Sequence, residues 1–190
     1  LDIKQCPVYE DSGIVYFKTH YYGGIRKYQW VATPLALHGV VITKDLRTID
    51  VCIGEDESDP IFYITDLLPH LAKDQAQKPM SSCFNGEMLN VICGSRPFDD
   101  DKITEKVKLN ILKILNEKYG ITEADFLSAE LECVPAIKAC DIGFDRSMIG
   151  AYGQDDRVCA YPALMAAVET KMPTKSLITI LADKEEIGSD

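Results

Sequence analysis

Leu177-Ile178-Thr179-Ile180-Leu181-Ala182-Asp183-Lys184-Glu185-Glu186-Ile187-Gly188-Ser189-Asp190 is the stretch on which the reading of the fold turns. Its first six residues are uncharged, largely apolar and rich in β-branched side chains, the pattern of a short buried strand. Ligand sites in open α/β sheets lie beyond the carboxyl ends of such strands. Two adjacent carboxylates placed there can divide one task, one binding a metal while its neighbour moves a proton. On a straight strand, neighbouring side chains point to opposite faces. Glu185 and Glu186 therefore reach one site only if the chain turns, and Gly188 permits that turn. Read bare, a Glu-Glu pair is a solvated loop end, so the surrounding sequence has to decide.

Upstream, Gly153-Gln154-Asp155-Asp156 leads into a helix predicted over about 157–171, with Ala160, Leu164, Ala167 and Val168 inward and a kink or late start at Pro162. A carboxylate entering a helix is either an N-cap or a ligand held on a loop. Asp155 or Asp156, the helix, and the strand before Glu185-Glu186 make an αβ unit that brings both loops to one sheet edge.

Farther upstream, strands dominate. Residues 13–22 read as a strand closed by the Gly23-Gly24 turn, and 35–43 with 48–53 as a hairpin about 44–47. Residues 60–64 and 88–93 are further strand candidates. Residues 66–77 are a short helix or loop, leading into a polar stretch, 73–86, with no apolar period. The clearest helix spans Lys102–Tyr119, with Ile103, Val107, Ile111, Ile114 and Leu115 on one stripe. Asp99, Asp100 and Asp101 stand at its positive end and Gly120 suits its C′ position. Thr122-Glu-Ala-Asp125 opens a second, short helix, and 128–134 is a returning strand.

The 190 residues suffice for one or two small domains, with 46% apolar and 26% charged residues. A net charge of −10 argues against nucleic acid and against anionic membrane surfaces. No run approaches the ~18 apolar residues of a membrane span. Seven scattered cysteines without a Cys-x-x-Cys read as reduced thiols in a cytoplasmic protein. Because the sequence opens at Leu1 and stops just past the Glu-Glu motif, an internal fragment is expected.

Asp183-Lys184-Glu185-Glu186-Ile187-Gly188-Ser189 resembles the signature of the aspartyl aminopeptidase family of dinuclear zinc exopeptidases. Other segments resemble that family in the same order: Tyr22-Gly23-Gly24-Ile25 through Trp30, Pro60 through Leu71, Gly86-Glu87-Met88-Leu89-Asn90 as in its bacterial branch, and Gln154-Asp155-Asp156. The Glu-Glu-Ile-Gly-Ser match is fairly specific, and the others gain weight from their order.

The resemblance implies an α/β fold: part of a peptidase αβ domain at 1–30 and 135–190, with a β-rich oligomerisation domain inserted at 31–134. It implies two zinc ions, or other divalent metals, bridged by Asp155, with Glu186 a terminal ligand and Glu185 the general base. It also implies that His70 lines the substrate pocket of a neighbouring subunit, in dimers that build larger assemblies, and that the substrate is a peptide, with an N-terminal residue that is acidic in part of the family. His20 and His38 read as structural.

Some elements of the family pattern lie elsewhere. A His-x-Asp before Leu1, and an Asp, a His and a basic specificity residue after Asp190, would complete the site; Asp156 stands where the family has Asn. Two alternatives remain beside the aminopeptidase: an assembly module without activity of its own, and a related dinuclear deblocking peptidase.

Overall fold

The computed structural model describes residues 1–182. Glu185 and Glu186 lie outside the described residues. The chain divides into two compact units, Leu1–Ala136 and a second beginning at Ile137.

The first unit is built on a six-stranded sheet. Its strands are β1 (Asp2–Asp11), β2 (Ile14–His20), β3 (Leu35–Ile42), β4 (Thr48–Ile53), β5 (Val91–Gly94) and β6 (Ala129–Pro135), in the order β4-β3-β6-β1-β2-β5. Every neighbouring pair is antiparallel. Such a sheet can keep one face in water and bury the other, and β2, β4 and β6 do so by alternation. Val15, Phe17 and Thr19 of β2 are buried, as are Leu35, Leu37 and Val41 of β3, Val51 and Ile53 of β4, and Leu131 and Cys133 of β6. Register places Leu37 opposite both Ile53 and Cys133, so these side chains share a face. The other face carries Tyr9 stacked on Tyr16 with Lys18 over the Tyr9 ring, and His38 with its Nε2 2.9 Å from Glu55. His20 likewise stands 3.8 Å from Asp2, so both strand histidines have carboxylate partners.

The buried face is covered by α1 (Lys106–Tyr119) and a 3-10 turn at Glu123–Ser128. Val107, Ile111, Leu115 and Phe126 join the sheet residues in one core, and Phe126 meets Phe17 edge-on at 5.6 Å between ring centres. Gly120 ends α1 in the left-handed conformation, its N–H donating to Asn116 and Leu115, as its sequence position predicts. Thr122 and Asp125 form a reciprocal capping box. Hydrogen bonds, first from the Thr122 side chain, hold the Asp125 carboxyl below its usual pKa.

The start of α1 differs from the sequence reading. The helix begins at Lys106, four residues later than expected, and the aspartate run does not cap it. Lys106 pairs with Asp101, and Lys102 N–H donates to Asp100. The carboxylate on the helix end is Glu10, from β1: its Oε2 accepts the Val107 and Lys108 N–H groups at 3.0 and 2.9 Å. A near-neighbour pattern cannot reveal a cap supplied from 97 residues away.

A domain boundary is expected near residue 30, and the backbone is continuous there. β1 and β2 hydrogen-bond into the same sheet as β3 and β6, so the first unit runs unbroken from Leu1 to Ala136. β1 itself was missed, because Lys4, Gln5 and Pro7 break its alternation and a bulge separates Ile3 from Val8. Residues 60–64 form two isolated bridges, Leu35–Phe62 and Tyr63–Ile92, in place of a strand.

The second unit opens with a hairpin of β7 (Cys140–Ile142) and β8 (Met148–Gly150), followed by α2 (Gln154–Glu169). No residue of α2 is buried; Ala160 and Ala167 are half-buried, Leu164 and Val168 exposed. Residues 177–182 form no strand, and Leu177, Ile178, Ile180 and Leu181 are exposed. The composition of this run predicts a buried strand. A strand is stable only where neighbours pair its backbone and cover its side chains, and no partner strand stands beside it among the described residues.

Replacing Glu10 with Ala removes two charge-assisted bonds from the positive end of α1. The expected loss is about 2 kcal/mol of unfolding free energy, with Glu10→Gln losing about half as much, read from urea denaturation.

Candidate functional site

Asp155 stands where α2 begins, but the backbone there is not yet helical. Asp155 has φ −86° and ψ 107°, and Asp156 φ −122° and ψ 32°. The Asp155–Asp156 peptide is cis. Gly153 occupies the N-cap position with φ 80°, a conformation that glycine adopts without strain, and no side chain caps the helix. The Gln154 side-chain amide donates to the Ile149 carbonyl at 3.0 Å, tying this corner to β8. Both aspartates are exposed, and neither carboxylate has a hydrogen bond or ion pair among the described residues. Of the two sequence readings, this geometry favours a carboxylate presented on a loop over an N-cap.

His70 lies in the first unit, on an excursion of residues 65–83 from the sheet. Buried Ile64 and Phe84 anchor its two ends. The excursion is a succession of turns: Leu71 and Ala72 N–H donate to Leu68, Ala76 to Ala72, Lys78 to Gln75, and Ser82 and Cys83 to Pro79. Asp66 accepts the Gln75 amide at 3.1 Å and closes the loop on itself. His70 is exposed at the tip, beside exposed Leu67, Leu68 and Leu71. His70 and Asp155 belong to different units, and each is placed only within its own.

One sequence profile matches residues 1–190 in full: that of the aminopeptidase I zinc metalloproteases, M18. The chain belongs to the M18 aminopeptidase family. A probable M18 family aminopeptidase 1 from Clostridium acetobutylicum is 57% identical over 189 residues, covering all of this chain and 41% of the relative. That from Thermotoga maritima is 54% identical over 190 residues, with the same coverage. The crystal structure of the Thermotoga maritima aminopeptidase matches with a TM-score of 0.92 at 53% identity, over all of this chain and 41% of that one. Aminopeptidase I from Clostridium acetobutylicum matches at 0.91 and 54% over the same shares. This M18 chain thus spans about 41% of the length of the relatives it matches.

The family is described as zinc-dependent. Asp155 fits a metal as one hard oxygen ligand, being an exposed carboxylate with no competing partner. It does not make a site alone: among the described residues, no three His, Cys, Asp or Glu side chains cluster to hold an ion. The buried thiols are unsuited to it. Burial pushes Cys133 up to about 12 and Cys93 well above its ordinary value.

Sequence reasoning missed one feature of the first unit, a cationic cleft at Ile25–Tyr28. Arg26-Lys27, directly after a double-glycine turn in an acidic chain, was the available signal.

The 190-residue M18 chain by itself should bind zinc more weakly than about 1 μM, because catalytic zinc sites take at least three protein ligands. Calorimetric titration checks this; submicromolar binding would reveal a complete ligand set within the chain.

Proposed function

We propose that this chain is the central portion of a zinc-dependent aminopeptidase that removes N-terminal residues from peptides in the cytoplasm. The carrying observation is the match to the zinc aminopeptidase profile over all 190 residues, together with Asp155 free and presented on a non-helical corner. Asp155, as the shared ligand, and Glu186, as a terminal ligand of one ion, would hold two zinc ions. When bound, the ions supply Lewis acidity and lower the pKa of water toward neutrality. Glu185 is the general base. It takes the proton of the attacking water and returns it to the leaving amine, a task worth about 10²–10⁴ in rate.

Within this reading, the second unit is part of the peptidase domain. Its apolar load supports that: Val158, Tyr161, Val168, Ile178 and Ile180 are all exposed in the chain as it stands, a surface that a larger domain would cover. The first unit is the inserted assembly domain. The sequence places the insert at 31–134, and the pairing of β1 and β2 into the same sheet supports a reading that includes residues 1–30. His70 on its excursion completes the substrate pocket of a neighbouring subunit, in dimers that build a larger closed assembly. A yeast aminopeptidase whose structure is a dodecamer shares the fold, with a TM-score of 0.55 at 18% identity.

In the complete protein, Glu185→Gln should abolish nearly all turnover with zinc content unchanged, whereas Asp155→Ala and Glu186→Ala should lower zinc content. Metal analysis beside a peptidase assay separates the two, and full activity in Glu185→Gln would refute the assignment.

His70→Ala should impair turnover without loss of metal. Mixing it with Glu185→Gln should then restore part of the activity, since a hybrid dimer pairs an intact His70 with an intact Glu185. No restoration after proven subunit exchange would place His70 outside a shared site.

A further inference from the structure

The chain carries a net charge of −10, yet two adjacent cations line one cleft of its first unit. The cleft has a volume of about 370 Å³ and is bounded by Ile25, Arg26, Lys27, Tyr28, Met80 and Ser81. It forms where the segment after the Gly23-Gly24 turn meets the base of the excursion that carries His70.

Both cations are oriented by neutral phenols. The Arg26 guanidinium donates to the Tyr28 hydroxyl at 3.3 Å, and Lys27 Nζ to the Tyr21 hydroxyl at 3.4 Å. Lys27 Nζ also lies 5.4 Å from the centre of the Tyr21 ring. The Tyr21 ring lies against Gly86, where a Cβ would stand 3.1 Å from Cε1. These contacts hold the charges in place without neutralising them, and neither Arg26 nor Lys27 forms an ion pair among the described residues. A guanidinium has five N–H donors and an ammonium three, so most remain for a ligand.

We propose that this cleft binds the carboxylate of a short peptide. Arg26 takes the carboxylate in its planar fork, Lys27 adds a second charge, and Ser81 supplies a hydroxyl. Ile25 and Met80 give the cleft an apolar wall, which suits the side chain beside a peptide carboxylate and is of no use to a mineral anion. Its volume falls in the range of about 300–1,000 Å³ usual for small-ligand sites. The peptide as source of the carboxylate rests on the aminopeptidase reading; the anion site itself does not.

The test is a titration of the 15N-labelled 190-residue chain with N-acetyl-alanyl-leucine, followed by amide chemical shifts. Acetylation blocks the end an aminopeptidase needs, so the result is independent of turnover. Shifts should localise to residues 25–28 and 80–81 with the free acid, and the C-terminal amide of the same peptide should bind at least tenfold more weakly. An Arg26→Met, Lys27→Met double variant with an unchanged circular dichroism spectrum should lose at least tenfold in affinity. If that variant does not fold, the acid-against-amide comparison on the unaltered chain decides alone. Equal binding of acid and amide, or shifts confined to other residues, would overturn the proposal. Inorganic phosphate binding as tightly as the peptide acid would replace the peptide with a mineral anion.

Discussion

A sheet with one apolar face must be covered, and the first unit is organised by that requirement. Six antiparallel strands send their buried side chains to one side. Burying a single aliphatic or aromatic side chain contributes about 1.5–3 kcal/mol, so about ten such residues on one face far outweigh any local propensity in the chain. One helix and one 3-10 turn do the covering, through Val107, Ile111, Leu115 and Phe126. The opposite face holds tyrosines, lysine and histidine in pairs that tolerate water.

Two local details keep that arrangement in register. Glu10 sets the helix end, and because it belongs to β1 its two hydrogen bonds tie the cover to the sheet as well as capping the helix. Gly39 lets β3 approach β6. With φ at +134°, a Cβ there would collide with the Glu130 carbonyl, so a side chain at this position would separate the strands that carry Leu37 and Leu131. The His70 excursion is possible for the same reason. Its ends, Ile64 and Phe84, are locked in the core, which leaves residues 65–83 free to project.

What was legible in the sequence was what short-range chemistry decides. The β3–β4 hairpin follows from two β-branched runs around a polar turn. The end of α1 follows from Gly120, and the 3-10 turn from Thr122 and Asp125. What escaped was decided at long range or by irregularity. Glu10 acts on α1 across the fold, β1 hides behind Pro7 and a bulge, and residues 177–182 read as a strand from composition while their pairing depends on partners that composition does not specify. In the candidate site, Asp155 was legible as a carboxylate entering a helix, though not the non-helical backbone that frees it from capping. The Arg26–Lys27 pair was legible as a basic step in an acidic chain, but not the cleft, because Met80 and Ser81 close it from more than fifty positions away.

The two units differ in how far they satisfy themselves, and this bears on where chemistry resides. The first buries its apolar face, caps its helix and pairs its strands. The second holds a three-residue-strand hairpin and a helix with no buried residue, followed by an exposed apolar run. Composition does not explain the contrast, since Val158, Leu164, Val168, Ile178 and Ile180 are residues that cores are made of. A free carboxylate such as Asp155 is held to a ligand geometry only when its backbone is locked by surrounding packing. Gln154 supplies one such lock through Ile149, and the rest of α2 stands without a buried residue. Under the proposed function, metal affinity at Asp155 and burial of Val158 and Val168, both exposed in this chain, would be coupled through the packing of α2.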